Sequence, residues 1–228
     1  MTGPPDLPAG DFSAWLRAMR ESLAGTADSD VPCGGCCACC ASSHFIHVGP
    51  DEDGALAHIP PALLFTAPGF SAGHVVMGYD QRGRCPMLAE DGRCGIYDHR
   101  PRTCRVYDCR VFAAAGIAAD SAEIARRARR WAFAYPGQRD REEHDAVRAA
   151  ARFVRERAGC FPSGAVPRDS AQVAVLAVEA SDVLLGRAGE AADAAGGAGT
   201  TARATRDSGD GRQIAGAIIE ASRRFETP

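Results

Sequence analysis

Hydrophobic and polar positions divide the 228-residue chain into three regimes. In "GDFSAWLRAMRESLAG", Phe12, Trp15, Leu16, Met19 and Leu23 recur at helical spacing behind Asp11, a candidate N-cap. This predicts an amphipathic helix closed near Gly25, its apolar face packed on the cysteine-rich segment that follows. Past residue 112 the helical period returns. "SAEIARRARRWAFAY" reads as a helix stopping at Pro136-Gly137, "REEHDAVRAAARFVRERAG" sets Val147, Ala150, Ala151 and Val154 on one face, and "SAQVAVLAVEASDVLLG" sets Val173, Leu176, Ala177, Ala180 and Leu184 on another. Residues 187–212 carry few large apolar side chains and read as a flexible linker. A short helix follows, "QIAGAIIEASRRF", whose stripe of Ile214, Ala217, Ile218 and Ala221 either docks back or serves a protein partner.

Between these regimes, from 33 to 110, no long period holds: the apolar runs "HFIHV" and "HVVMGY" are short and are separated by turn signals such as "EDG", "APG" and "QRG". Such a stretch is expected to have little regular strand and to be held by a metal in place of apolar burial. The expected organisation is an N-terminal amphipathic helix (1–30), a cysteine-rich metal-binding domain (31–112), a helical part packed on it (113–186), a flexible linker (187–212) and a C-terminal helix (213–228). The fold class is α+β with predominantly helical content, an irregular metal-binding domain packed by N- and C-terminal helices.

The chemistry of the middle regime lies in its cysteines. "CGGCCACC" spells C-x-x-C-x-x-C-C through Cys33, Cys36, Cys39 and Cys40, and Cys85, Cys94, Cys104 and Cys109 follow. The C-x-x-C-x-x-C spacing suits three ligands of a cubane iron–sulfur (4Fe-4S) cluster, with Cys85, directly before Pro86, as a fourth; four thiolates also suit zinc. Adjacent side chains diverge, so Cys39 and Cys40 could serve different metals, and eight thiolates could make one site or two. Cys37 lies inside the pattern without being needed by it, and Cys160 stands apart as a small buried residue. His44 and His47 follow closely enough to replace a thiolate.

Composition narrows the setting. No secretory leader and no run of about eighteen apolar residues is present, so a cytoplasmic protein without a membrane anchor is expected, and a reducing compartment favours metal-bound over disulfide-bonded cysteines. The chain has no Lys and no Asn, so its 26 basic residues are all Arg, which excludes Schiff-base and P-loop lysine chemistry. A net charge of −3 gives no global case for nucleic acid. Seven arginines nonetheless stand against four acids between positions 82 and 110. A four-thiolate metal centre carries a charge of about −2 and explains them, whereas a single-strand platform would interleave aromatic residues. Arg100 is expected to pair with Asp98 or Asp108, and Tyr97 and Tyr107 to shield the site from water.

"CGGCCACC" followed by "CPMLAEDGRCGIYDHRPRTCRVYDC" resembles the CxxCxxCC, or YkgJ-like, family of zinc- or iron-chelating domains. The matching positions are Cys33, Cys36, Cys39 and Cys40, Cys85 with Leu88, Cys94, Ile96-Tyr97, Arg100-Pro101, Cys104-Arg105 and Cys109, within residues 30 to 110. Cys37 departs from the usual spacer and leaves a second ligand register open. The resemblance implies metal chelation by these cysteines. The expected function is a metal-binding protein holding zinc or iron, as one or two ions or iron–sulfur clusters, through the eight cysteines. One alternative is a metal-dependent enzyme or accessory factor in protein modification, similar to the flagellin lysine methylase; another is a structural zinc module for partner binding.

Overall fold

The computed structural model describes residues 6–29, 31, 33, 35–194 and 206–225. Along the chain lie β1 (Leu7–Asp11), α1 (Phe12–Leu23), β2 (Ile46–Val48), α2 (Asp53–His58), β3 (Leu64–Thr66), β4 (Val75–Met77), α3 (Arg102–Val106), α4 (Arg110–Ala115), α5 (Ala122–Ala128), β5 (Trp131–Ala134), α6 (Gln138–Glu156), α7 (Ser170–Ala194) and α8 (Arg206–Ser222). They form two compact units. A helical unit takes the N-terminal residues to 27, 109–120 and the chain from 128 onward; a cysteine-rich unit takes 28–108 and 121–127. The mixed α+β class is as expected, with small sheets in both units.

In the helical unit, α6 and α7 are the central pair, with α4 and α1 against both and α8 against α7. Their meeting faces are rich in alanine: Ala146, Ala150 and Ala151 of α6 and Ala174, Ala177 and Ala180 of α7 are all buried. Small side chains let helix axes approach closely, so the packing is dense without many large residues. The four face residues expected on α6 are buried as a set. On α8 the buried stripe is Ala215, Ile218 and Ala221, packed with Val154 and Phe161, while Ala217 faces solvent. The stripe is therefore one position out of phase at its centre from the sequence reading. Cys160 is half-buried against this cluster, where a Cβ on Gly211 would come within 2.9 Å of its Sγ.

Three expectations change in this unit. The face of α1 packs on α6, α7 and β1, with Phe12, Trp15, Leu16 and Met19 buried. The helix expected up to Pro136 ends at Ala128, and "WAFA" becomes β5, which pairs in parallel with β1. Aromatic and small residues alternate there, a period of two that the arginine-rich stretch before it masked. The stretch read as a linker is helical at both ends, since α7 continues to Ala194 and α8 opens at Arg206, and 195–205 lies outside the described residues.

The first turn of α1 is not capped by Asp11, whose side chain makes no cap bond. Asp140 of α6 does it from outside: its Oδ1 accepts from Ser13 N at 2.9 Å and its Oδ2 from Gly137 N at 2.9 Å, so one carboxylate satisfies the free N–H groups of two helix starts. These backbone donors, Ser13 foremost, hold the Asp140 carboxyl below the usual range. Beside it, His144 is sandwiched between Phe12, stacked at 4.3 Å between centroids, and the ring of Tyr135, whose hydroxyl meets His144 Nδ1 at 2.7 Å. Burial, then the Arg148 charge, pushes the imidazole down to about 4. A depressed histidine leaves the folded state neutral while the unfolded chain takes up a proton. Stability of the helical unit is therefore complete above about pH 6.5 and is lost as pH falls toward 4, by about 3 kcal/mol. Denaturation monitored by tryptophan fluorescence between pH 7 and 4 checks this, and His144→Gln is expected to flatten that part of the profile.

In the cysteine-rich unit, β2, β4 and β3 form an antiparallel sheet in that order, with Ile46 opposite Met77 and Leu64 opposite Met77. Val48, Ala55, Ile59, Met77 and Ile96 make its core, joined by Ile46, Leu64 and Val75. Regular strand is scarce, as expected, with each strand three residues long and too short for alternation to stand out in the sequence, but the apolar core corrects the expectation that a metal stands in place of apolar burial. The outer side of this sheet carries Phe45, Phe65 and Tyr79 as exposed rings, Phe45 in contact with each of the other two.

Candidate metal centre

Seven of the eight expected ligands lie in the cysteine-rich unit, on short backbone devices that fix one another. Cys36 N bonds to Cys33 O at 3.0 Å, closing the first C-x-x-C turn, and Cys39 and Cys40 open a 3-10 turn ending at Ala41. Cys85 N then bonds to Cys40 O at 2.7 Å, which ties the downstream cysteines to the upstream cluster through the main chain. Cys85 and Cys94 flank a short hairpin in which Leu88 bridges Cys94 and Ala89 N bonds to Arg93 O at 2.8 Å; both cysteines pack on the unit's apolar core. Cys104 rides on α3.

Two residues that the sequence did not single out hold α3 in place. Glu52 accepts from Gly49 N with one oxygen and from Arg102 N, the first residue of α3, with the other; Thr103 Oγ1 donates to His47 O at 2.9 Å. The acid three residues after Gly49 was legible only as one member of the run "DEDG".

Cys39 is the electrostatic centre of the group. Its thiol is hydrogen-bonded to Cys40, and this bond, with burial next, raises it far above the ordinary thiol range. Burial raises Cys33 to about 11, with Cys39 and Cys36 adding to the shift and Arg127 opposing it. Burial raises Cys104 to about 12, with Cys85, Cys39 and Cys94 adding and Arg100 opposing. Cys85 is raised by burial, with Cys94 and Cys39 contributing. Thiols that raise one another are close neighbours whose ionised forms repel, and a cation among them reverses that penalty.

The arginines are used more sparingly than their number suggested. Arg100 stands by Cys104, and Arg127, from outside the 82–110 stretch, donates to Cys33 O at 3.2 Å. Arg105 instead pairs with Asp28 at 3.1 Å and donates to Arg100 O at 2.7 Å. The Arg100 guanidinium lies 3.7 Å from the Tyr97 ring centroid and its Nε donates to Tyr97 O at 2.8 Å, so its pairing is with this tyrosine. Tyr97 is 59% exposed. His47 Nε2 meets His74 Nδ1 at 2.9 Å, and His99 stacks on His58 at 3.7 Å. His44 is exposed.

Cys109 belongs to the helical unit, where it is buried at the start of α4 and its Sγ accepts a hydrogen bond from Trp131 Nε1 at 3.2 Å. All ten cysteines are free thiols. Among the described residues no three Cys, His, Asp or Glu side chains stand as a finished coordination shell. The donor set itself is soft and all-sulfur, half-buried and supported by two cations, which fits zinc or an iron–sulfur cluster and not a hard-oxygen metal.

The sequence comparison agrees with this chemistry. Residues 32–125 match the CxxCxxCC family. Its description reads "putative zinc- or iron-chelating domain". The matched segment covers the whole of the half-buried cysteine group and runs on through Cys109 and most of α5. No curated protein and no solved structure matches the chain. No helix among the described residues is long and apolar enough to cross a membrane.

Proposed function

We propose that the cysteine-rich unit is a metal-holding module whose ligands are drawn from Cys33, Cys36, Cys39, Cys40, Cys85, Cys94 and Cys104, working in a reducing, cytoplasmic setting. The observation that carries this is the neighbourhood of Cys39: thiols from both halves of the cysteine pattern act on it or are acted on by it. An iron–sulfur cluster is the reading favoured by the C-x-x-C-x-x-C spacing with Cys85 tied to Cys40, and zinc is its rival. A bound metal would supply a fixed positive centre; the chain's own residues hold the thiols at the turns described, keep them half-buried, and place Arg100 and Arg127 beside the negative charge that four thiolates bring.

Absorption spectra with iron, zinc and acid-labile sulfide analysis of anaerobically purified protein decide between the two metals. A coloured protein with matching iron and sulfide is expected. Colourless protein holding zinc without sulfide would sink the cluster reading.

The raised thiols give a second expected result. Because Cys33 and Cys104 are protonated at neutral pH, each thiolate ligand must shed a proton when metal binds, so affinity falls by about tenfold for each pH unit of acidification and for each such ligand. Titration of zinc into the reduced metal-free protein in buffers of different ionisation enthalpy counts the protons released. About four per metal are expected for a four-thiolate site, and a count near zero contradicts thiol ligation.

A further inference from the structure

We infer that the outer face of the β2-β4-β3 sheet is a stacking platform for single-stranded nucleic acid. Most of the large apolar side chains left exposed among the described residues gather there: Phe45 at 57%, Phe65 at 48%, Phe70 at 58% and Tyr79 at 42%. Side chains alternate along a strand, so with Ile46, Val48, Leu64 and Met77 turned into the core, His47, Val76 and Phe65 fall on the other side, in one row across the three strands. At one end of this row Phe45 meets Phe65 edge-on at 6.0 Å and Tyr79 at 5.2 Å. A Cβ on Gly78 would come within 3.3 Å of the Phe65 ring and 3.7 Å of the Phe45 ring, so both rings reach over the backbone at that glycine. At the other end Phe70 stacks on His47 at 4.6 Å, and His47 is hydrogen-bonded to His74. Exposed rings that adjoin in this way mark a binding surface, not chance exposure.

The charge around the rings indicates the occupant. Residues 41–50 and 60–79, which build this face, contain no Asp or Glu. The turn after Tyr79 carries Arg82 and Arg84, and it is fastened two residues before Phe45, where Ser43 N donates to Gly83 O at 2.9 Å. The acid of that turn, Asp80, accepts from Arg82 N at 2.8 Å and Arg84 N at 2.9 Å. Neither arginine makes an ion pair among the described residues. An aromatic surface without negative charge, with arginines at one end, fits unpaired bases laid on the rings and phosphates running toward the turn. Stacking of this kind tolerates any sequence, because every base has a π-face. The arginine-rich stretch has no interleaved aromatic residues of its own, and the fold supplies them from 45–79. An apolar partner would leave the arginines unused, and a duplex, its bases already stacked, would leave the rings unused.

The test is fluorescence anisotropy of short fluorescein-labelled oligo(dT) and oligo(U), beside a duplex of the same length, each titrated with the full chain purified without oxygen. Saturable binding of a single strand, about tenfold or more tighter than the duplex, is expected, and the tighter of the two single strands distinguishes DNA from RNA. Phe45→Ala and Phe70→Ala are each expected to weaken binding by about fivefold or more. Both side chains are more than half exposed, so the circular dichroism of each variant is expected to stay unchanged. Tyr97→Ala, which removes an exposed ring that lies against Arg100, is expected to leave binding as it was. Replacing Arg82 and Arg84 together by Ala is expected to reduce the slope of log affinity against log salt by about 1.4, from about 0.7 per phosphate contact. No saturable binding of either single strand would overturn the inference, as would equal affinity for the duplex, an unchanged salt slope in the double variant, or full affinity in both Phe45→Ala and Phe70→Ala. Self-association that Phe45→Ala abolishes, without oligonucleotide binding, would overturn it in favour of a second copy of the chain on this face.

Discussion

Cys39→Ser is expected to weaken metal binding by about a hundredfold or more, the largest effect of any single change in the cysteine-rich unit. Cys39 is hydrogen-bonded to Cys40 and interacts with Cys33, Cys85 and Cys104, so its loss removes a thiolate from whichever four-ligand set forms there. Serine keeps the size and can still hydrogen-bond to Cys40, but its hydroxyl is a poor ligand for a soft site. Cys160→Ser is the matched control: that thiol sits in the helical unit against Gly211, and metal content is expected to stay unchanged. Competition with a chelating indicator measures both. Trp15 and Trp131, the chain's two tryptophans, lie in the helical unit, so their fluorescence reports separately whether that unit remains folded.

Phe12→Ala is expected to destabilise the helical unit by about 3–5 kcal/mol. Phe12 is fully buried, stacks on His144, and meets Phe133 edge-on at 5.0 Å and Trp15 at 5.5 Å. Removing the ring opens a cavity where β5, α1 and α6 converge, and it takes away the surface that keeps His144 dry. The histidine is then expected to titrate closer to its ordinary value, so the acid loss of stability between pH 6.5 and 4 shrinks in the same variant. Guanidinium denaturation followed by fluorescence at pH 7 and pH 5 measures both effects. A loss under about 1 kcal/mol at pH 7 would contradict the packing described.

How far the sequence disclosed these arrangements depended on how local the signal was. Val147, Ala150, Ala151 and Val154 were legible as one buried face because α6 is long enough to repeat its period several times. The three-residue strands of the cysteine-rich unit repeat nothing, so their sheet emerges only when Ile46, Leu64 and Met77 are seen in register. The strand β5 was hidden for a different reason: arginine-rich helix runs into it without a Gly or Pro to mark the boundary.

The site shows the same division. C-x-x-C-x-x-C-C is a contiguous chemical pattern and could be read directly. That Cys85 bonds through its main chain to Cys40, or that Glu52 fastens the start of the helix bearing Cys104, depends on contacts between distant residues, and no spacing rule encodes those. The arginine excess was visible by counting, but counting could not say that Arg105 serves Asp28 while Arg127, outside the counted stretch, serves Cys33. Asp140 is a further case, an acid that reads as first-turn decoration of its own helix and also caps another.

We propose that the half-buried cysteines of this unit hold a metal. The most direct test of this is the metal content of the full chain purified without oxygen, beside a variant with Cys33, Cys36, Cys39 and Cys40 all replaced by Ser. Near-stoichiometric iron or zinc is expected in the first and its loss in the second, with tryptophan fluorescence of the helical unit retained. A folded, unsubstituted protein that carries neither metal and takes up neither on reconstitution would contradict it.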